Sequence, residues 1–110
     1  MINEKLLGLL KALQRGTSVG HVPWQDLPED EMFLAQIGPG IVRVGKFSIG
    51  DRKGYTLWVF GVGGVIVAEL EVFEGDPNFH LIEDIYASAR LWVRDGEQLI
   101  DRMITQLTLA

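Results

Sequence analysis

At 110 residues, 47% of them hydrophobic, the chain is sized for one domain with its own core and is too apolar for intrinsic disorder. The formal charge of −5 and the lack of cysteine exclude disulfides, thiolate metal sites and a cysteine nucleophile, and argue against nucleic-acid binding, which needs clustered Lys and Arg. The charge-free run over residues 55–68 is too short to cross a bilayer as a helix, and Glu4, Lys5, Lys11 and Arg15 interrupt the apolar start, unlike a signal peptide. A cytoplasmic protein that uses no membrane and no nucleic acid is expected.

Residues 3–15 predict an amphipathic helix. Leu6, Leu9, Leu10 and Leu13 share one face, Asn3 is placed to cap it, Ile2 and Leu7 to staple it, and Gly16 to end it. Residues 16–31 carry no period and read as a connecting segment, with Trp24 as an anchor onto the core and Asp26, Glu29, Asp30 and Glu31 as acidic surface. Residues 32–37 and 41–48 fit strands separated by a turn at 38–40, and a second turn follows at 49–54.

Residues 54–73 hold the densest run of β-branched and aromatic side chains. They predict two strands joined at Gly63-Gly64, since both central positions of a type I′ turn need positive φ. Asp76 then reads as an N-cap and Pro77 as the first helical residue. That helix extends to about Val93, with Leu81, Ile82, Ile85, Tyr86, Ala89, Trp92 and Val93 as its stripe. Asp95 with Gln98 reads as a capping box for a last helix to about Leu107, whose apolar face is Leu99, Ile100, Met103, Ile104 and Leu107. The expected fold is α+β: one N-terminal helix, a four-stranded antiparallel β-meander and two C-terminal helices, with helix and sheet faces making the core.

Pairing the hairpin about Gly63-Gly64 puts Tyr55, Leu57, Val59 and Gly61 opposite Val72, Leu70, Ala68 and Ile66 on a uniformly apolar face that belongs under the helices. The other face is divided. Thr56, Glu69 and Glu71 want water at one end, whereas Trp58, Phe60, Val62, Val65 and Val67 at the turn end do not. A sheet packed on one side alternates cleanly, so the apolar end asks for a cover: helix one, the Trp24 loop or a second copy. A homodimer through this face is expected.

Chemistry-bearing motifs are sparse. Neither GPG at 38–40 nor GVGG at 61–64 completes a phosphate-binding pattern, and both read as turns. His80 has Glu83 and Asp84 at one-turn spacing, but with His21 in another element this is a polar helix start rather than a metal site. Glu69 and Glu71 alternate on one strand face, as on any solvated sheet. Arg90 and Arg94 fit exposed charge or an acidic partner, and the cluster Arg43, Lys46, Arg52 and Lys53 is placed to face the acidic segment 26–31 of a neighbour or of the same chain. No catalytic residue, metal ligand or cofactor is assigned.

Landmarks over nearly the whole chain carry a resemblance: Leu6 to Arg15, Thr17, Gly20, Trp24, Phe33 and Ala35, the Tyr55-Thr56-Leu57 run, Gly64, then Ile85, Tyr86, Ala89 and Arg90, and the tail from Gly96 to Leu107. In that order they resemble a short stand-alone bacterial domain of unknown function, with a helix, a Trp-containing loop, a strand meander and a helix bearing a Leu-Tyr-x-x-Ala-Arg-like motif. The hairpin tip departs from it, being FGVGGV where the family's tip is polar. The resemblance implies the α+β order of elements and no activity. A non-enzymatic interaction module, self-associating through the sheet or meeting a protein partner, is the expected function. The other expectation is a ligand-binding or enzymatic cleft between sheet and helices, lined by Trp24, Tyr55, Tyr86 and Arg90.

Overall fold

The structure, a computed structural model, describes residues 4–27 and 31–108. The first helix, α1 (Glu4–Ser18), buries Leu10 and Leu13. It passes through Gly16, because the chain reverses at Gly20 instead. Gly20 lies at φ +77. Its N–H donates to Thr17 O at 3.1 Å and that of His21 to Gly16 O at 2.8 Å, the paired bonds of a Schellman end. The caps expected at Ile2 and Asn3 lie outside the described residues.

The segment read as irregular contains a strand, β1 (Gln25–Leu27). It pairs with β2 (Met32–Ile37), followed by β3 (Gly40–Ile49), β4 (Arg52–Phe60) and β5 (Ile66–Phe73). All pairings are antiparallel and the spatial order follows the sequence, so the meander has five strands where four were expected. Three residues are too few to show alternation, and Asp26 is a poor strand former; contacts from elsewhere in the chain hold β1 in place.

The hairpin register agrees with expectation from Tyr55↔Val72 to Val59↔Ala68, then breaks. Phe60 pairs with Ile66, leaving Val67 as the extra residue of a bulge. The loop is Val62-Gly63-Gly64 rather than Gly63-Gly64 alone. Gly61 N–H donates to Val65 O at 2.8 Å and Gly64 N–H to Gly61 O at 3.1 Å. Gly63 and Gly64 do sit at positive φ, +78 and +79. A three-residue loop leaves one strand longer than its partner, and the bulge absorbs the difference.

The core lies between the sheet and the two helices α1 and α2 (Phe79–Arg90). The sheet supplies Phe33, Ala35, Val42, Val44, Tyr55, Leu57 and Val72, and α2 supplies Phe79, Ile82, Ile85, Tyr86 and Ala89. Aromatic edges and faces meet there: Phe33–Tyr86 at 5.2 Å, Tyr55–Tyr86 at 5.3 Å and Tyr55–Phe79 at 5.4 Å between centroids. The helix begins at Phe79, not Pro77, because the Asp76 carboxylate accepts from Phe73 N–H at 2.7 Å and closes the end of β5 instead of capping α2.

The two C-terminal helices are not separated by a cap. From α2 the chain enters a wide π turn, Leu91–Asp95, and continues as α3 (Gly96–Thr108). Gly96 N–H donates to Leu91 O, and a Cβ at position 96 would stand only 2.7 Å from that oxygen. Asp95 lies inside the turn, 3.8 Å from Arg90, and opens no capping box. The α3 stripe was expected in the core, yet Leu99, Ile100, Met103, Ile104 and Leu107 remain 54–77% exposed. The projecting helix stretches the molecule to 55 × 36 × 24 Å, with a radius of gyration of 15.5 Å against about 13 Å for a compact chain of this size.

Candidate interaction surface

With α1 and α2 both on the Phe33–Leu57 side, strand alternation sends the intervening residues to the opposite face. One cross-strand row there is Leu34–Arg43–Trp58–Glu69 and the next is Gln36–Ile41–Phe60–Ile66. Leu34, Ile41, Trp58 and Phe60 are half-buried by their neighbours, and Ile66 is exposed. Arg43 lies among them. Its guanidinium carbon stands 4.7 Å from the Trp58 ring centre and 5.2 Å from that of Phe60. Its Nε is buried and has no hydrogen-bond partner among the described residues. A cation stacked on two rings gains from their quadrupoles, but a buried donor without an acceptor costs roughly 1–3 kcal/mol. Chemically, this is an apolar surface that carries one guanidinium stacked on two aromatic rings.

The expected interface residues divide. Trp58 and Phe60 lie on this open face as read. Val62 and Val65, in and beside the loop, are 81% and 65% exposed. Val67 does not join them: the bulge turns it to the helix side, where it borders an open hollow with Lys5, Leu6, Leu9, Val59 and Ala68. Ile66, assigned to the helix side by the simple register, takes its place on the open face. A one-residue bulge exchanges the faces of everything beyond it.

The residues expected to line a cleft are mostly core. Trp24, Tyr55 and Tyr86 are 8%, 3% and 4% exposed, and burial raises the phenol pKa of both tyrosines. Trp24 is the anchor the sequence suggested, its indole N–H donating to buried Thr17 Oγ1 at 3.0 Å. Arg90 is exposed. None of the four borders either described hollow. The second hollow, between α1 and α2, is lined by Gln14, Arg15, Ser18, Asp84, Ala87 and Ser88, with no histidine or lysine to activate a serine.

Ion pairs fasten the periphery at two places. Arg94 donates from Nε and Nη2 to the two carboxylate oxygens of Asp26 at 2.8 and 2.7 Å, and its guanidinium carbon lies 5.0 Å from the Phe33 ring centre. The Arg94 hydrogen bonds hold the Asp26 carboxyl below its ordinary range, and Asp26 correspondingly raises Arg94. At the other end Glu83 contacts His80 Nδ1 and Lys53 Nζ, each at 3.2 Å. His80 and then Lys53 lower its pKa, and Glu83 raises that of Lys53. Among the described residues no group of three His, Cys, Asp or Glu side chains could hold a metal ion, and no helix is long and apolar enough to cross a membrane.

Sequence reasoning placed Asp26 among solvated acids, Arg94 among exposed arginines and Arg43 in a basic cluster. The structure scatters that cluster: Arg43 stacks on the open face, Lys53 bonds Glu83, and Arg52 lies over Phe73 at 4.1 Å. The only sequence signal for Arg43 was its place midway along a strand of apolar residues. Compared with protein-family models, curated proteins and solved structures, the chain matches none.

Proposed function

We propose that this protein is a non-enzymatic interaction module that self-associates through the open face of its sheet. The observation that carries the reading is an apolar face, Leu34, Ile41, Trp58, Phe60 and Ile66, with the Arg43 guanidinium stacked among its rings and no described helix packed over it. Arg43 and Glu69 occupy one cross-strand row with Trp58 between them. A second copy turned over about an axis along β4 brings Trp58 against Trp58 and sets Arg43 of each copy against Glu69 of the other, an isologous contact with the aligned packing of a β-sandwich.

Sedimentation equilibrium tests it by charge exchange. Arg43→Glu and Glu69→Arg should each halve the assembly mass, and the double variant should restore it. Phe60→Glu should act like the single variants. Unchanged mass in all three single variants rejects the reading.

A further inference from the structure

Strand β5 forms one edge of the sheet, and among the described residues no strand lies beyond it. Long edges are normally blunted, because a row of free N–H and C=O groups recruits another chain. Over residues 66–73 the strand has neither Lys nor Pro. Its outward groups follow from the ladder. Glu74 N–H donates to Lys53 O at 3.3 Å, so position 74 faces β4. Alternation then turns the backbone N–H and C=O of Phe73, Glu71 and Glu69 outward. Phe73 is satisfied by one residue of its own chain. Its N–H donates to the Asp76 carboxylate at 2.7 Å, and its C=O accepts from Asp76 N–H at 3.0 Å. Asp76 does for Phe73 what a neighbouring strand would do. Among the described residues nothing does the same for Glu69 and Glu71. At the other end the Val67 bulge closes the regular stretch. The bare edge is therefore residues 68–72, with two outward-facing residues roughly 7 Å apart.

The two sides of this edge differ in chemistry. On the helix side lies the hollow of about 300 Å³ bordered by Lys5, Leu6, Leu9, Val59, Val67 and Ala68, which reaches β5 at its last two residues. On the open side stand the side chains of Glu69 and Glu71, exposed and in no ion pair among the described residues. A strand added antiparallel places successive residues opposite Glu71, Leu70, Glu69 and Ala68. Those opposite the two acids share their face, where Lys or Arg makes the favourable cross-strand pair. The residue opposite Ala68 points to the hollow, whose lining suits an aliphatic side chain. Main-chain hydrogen bonds supply affinity in such an addition, and the alternate side chains supply selectivity. A second β5 is the wrong occupant. Its fullest twofold registers set Glu69 opposite Glu69 or opposite Glu71, like charge against like charge.

We infer that the β5 edge is a docking site for an extended peptide segment of alternating basic and aliphatic residues, which adds beyond β5 as a further strand. The site lies on the rim of the sheet and does not depend on association through its open face. Where Arg43 of a second copy meets Glu69, Glu71 keeps the preference for a base.

The probe is a capped peptide, Thr-Lys-Val-Lys-Leu-Thr, titrated into isotope-labelled full-length protein and followed by amide NMR. The amides of Ala68, Glu69 and Glu71 should shift most, and those of Glu69 and Glu71 should exchange more slowly with solvent. Methylating the backbone nitrogen of the second lysine, which faces Glu69, should abolish binding. Methylating that of the intervening valine, which faces away from β5, should not. Glu71→Lys, at an exposed position, should leave the circular dichroism intact and weaken binding roughly tenfold. Equal binding of the two methylated peptides overturns the proposal, as does equal binding of a peptide with glutamate in place of both lysines. Absence of shifts at Glu69 and Glu71 overturns it too. If Glu71→Lys raises the assembly mass with no peptide present, the edge belongs to a second copy and the proposal fails.

Discussion

Arg94 in the π turn and Asp26 on the edge strand β1 hold one another through two hydrogen bonds of 2.8 and 2.7 Å, although they are 68 residues apart in sequence. The pair fastens the shortest strand of the sheet to the point where the C-terminal helix leaves the domain. A two-bond guanidinium–carboxylate contact is geometrically specific and stronger than a neutral hydrogen bond.

Asp26→Asn should therefore destabilise the protein by about 1–2 kcal/mol at neutral pH, since hydrogen bonds to charged groups contribute roughly 1.5–3 kcal/mol and this pair is partly exposed. The folded-state pKa of Asp26 is depressed. Its contribution is thus fully present above the unfolded carboxylate pKa and is lost as pH falls through the lower folded value. Urea denaturation should show a clear gap between parent and variant at pH 7 and a smaller one at pH 3. A gap that widens on acidification contradicts the clamp.

Gly96→Ala sets propensity against geometry. Alanine favours a helix interior by about 1 kcal/mol over glycine, yet its Cβ would stand 2.7 Å from Leu91 O. The expected result is a net loss of roughly 1–3 kcal/mol, measured by thermal or urea denaturation. Stabilisation would mean that the wide turn relaxes to an ordinary α turn at no cost.

The Trp24 indole and Thr17 hydroxyl form a buried pair at 3.0 Å. Thr17→Val preserves shape but removes the acceptor, leaving a buried N–H unsatisfied, at a cost of about 1–3 kcal/mol. The loss should appear in denaturation with little change in the near-ultraviolet dichroism of the folded state. Val67 and Ile66 offer a comparison one residue apart. If Ile66 lies on the association face and Val67 on the helix side, Ile66→Lys should lower the assembly mass and Val67→Lys should not, as size-exclusion chromatography with light scattering will read.

Glu83 sits between His80 and Lys53, with the His80 contact the larger cause of its lowered pKa. His80→Ala should move the Glu83 carboxyl back toward its ordinary value, with Lys53 retaining part of the effect. Carboxyl carbon chemical shifts followed by NMR through the acid range will show the direction. An unmoved or lower value argues against the contact.

Much of the fold was legible in the sequence because local chemistry carried it. The apolar period of residues 6–13, the β-branched run around Trp58 and the stripe from Ile82 to Ala89 each name their own element. The boundaries were less legible, since they depend on competition. Gly16 and Gly20 could both end α1, and the carbonyls freed at Gly16 and Thr17 find their donors at Gly20 and His21. Asp76 could cap α2 or close β5, and Phe73 N–H takes it. The candidate surface was half legible. Trp58 and Phe60 followed from alternation, but Ile66 and Val67 changed places because one inserted residue reverses a period of two.

By itself the sequence determined an antiparallel sheet with an unusually apolar second face, covered on its other side by helices, because side-chain periodicity is a local property of the backbone. It also determined that the last helix has an apolar stripe. Only the tertiary structure decided what those faces meet. The Arg94–Asp26 clamp and the Leu91–Gly96 turn direct α3 past the sheet edge, and the order of the layers leaves Arg43 Nε without an acceptor among the described residues. Such outcomes depend on contacts between residues distant in sequence, and no local pattern encodes them.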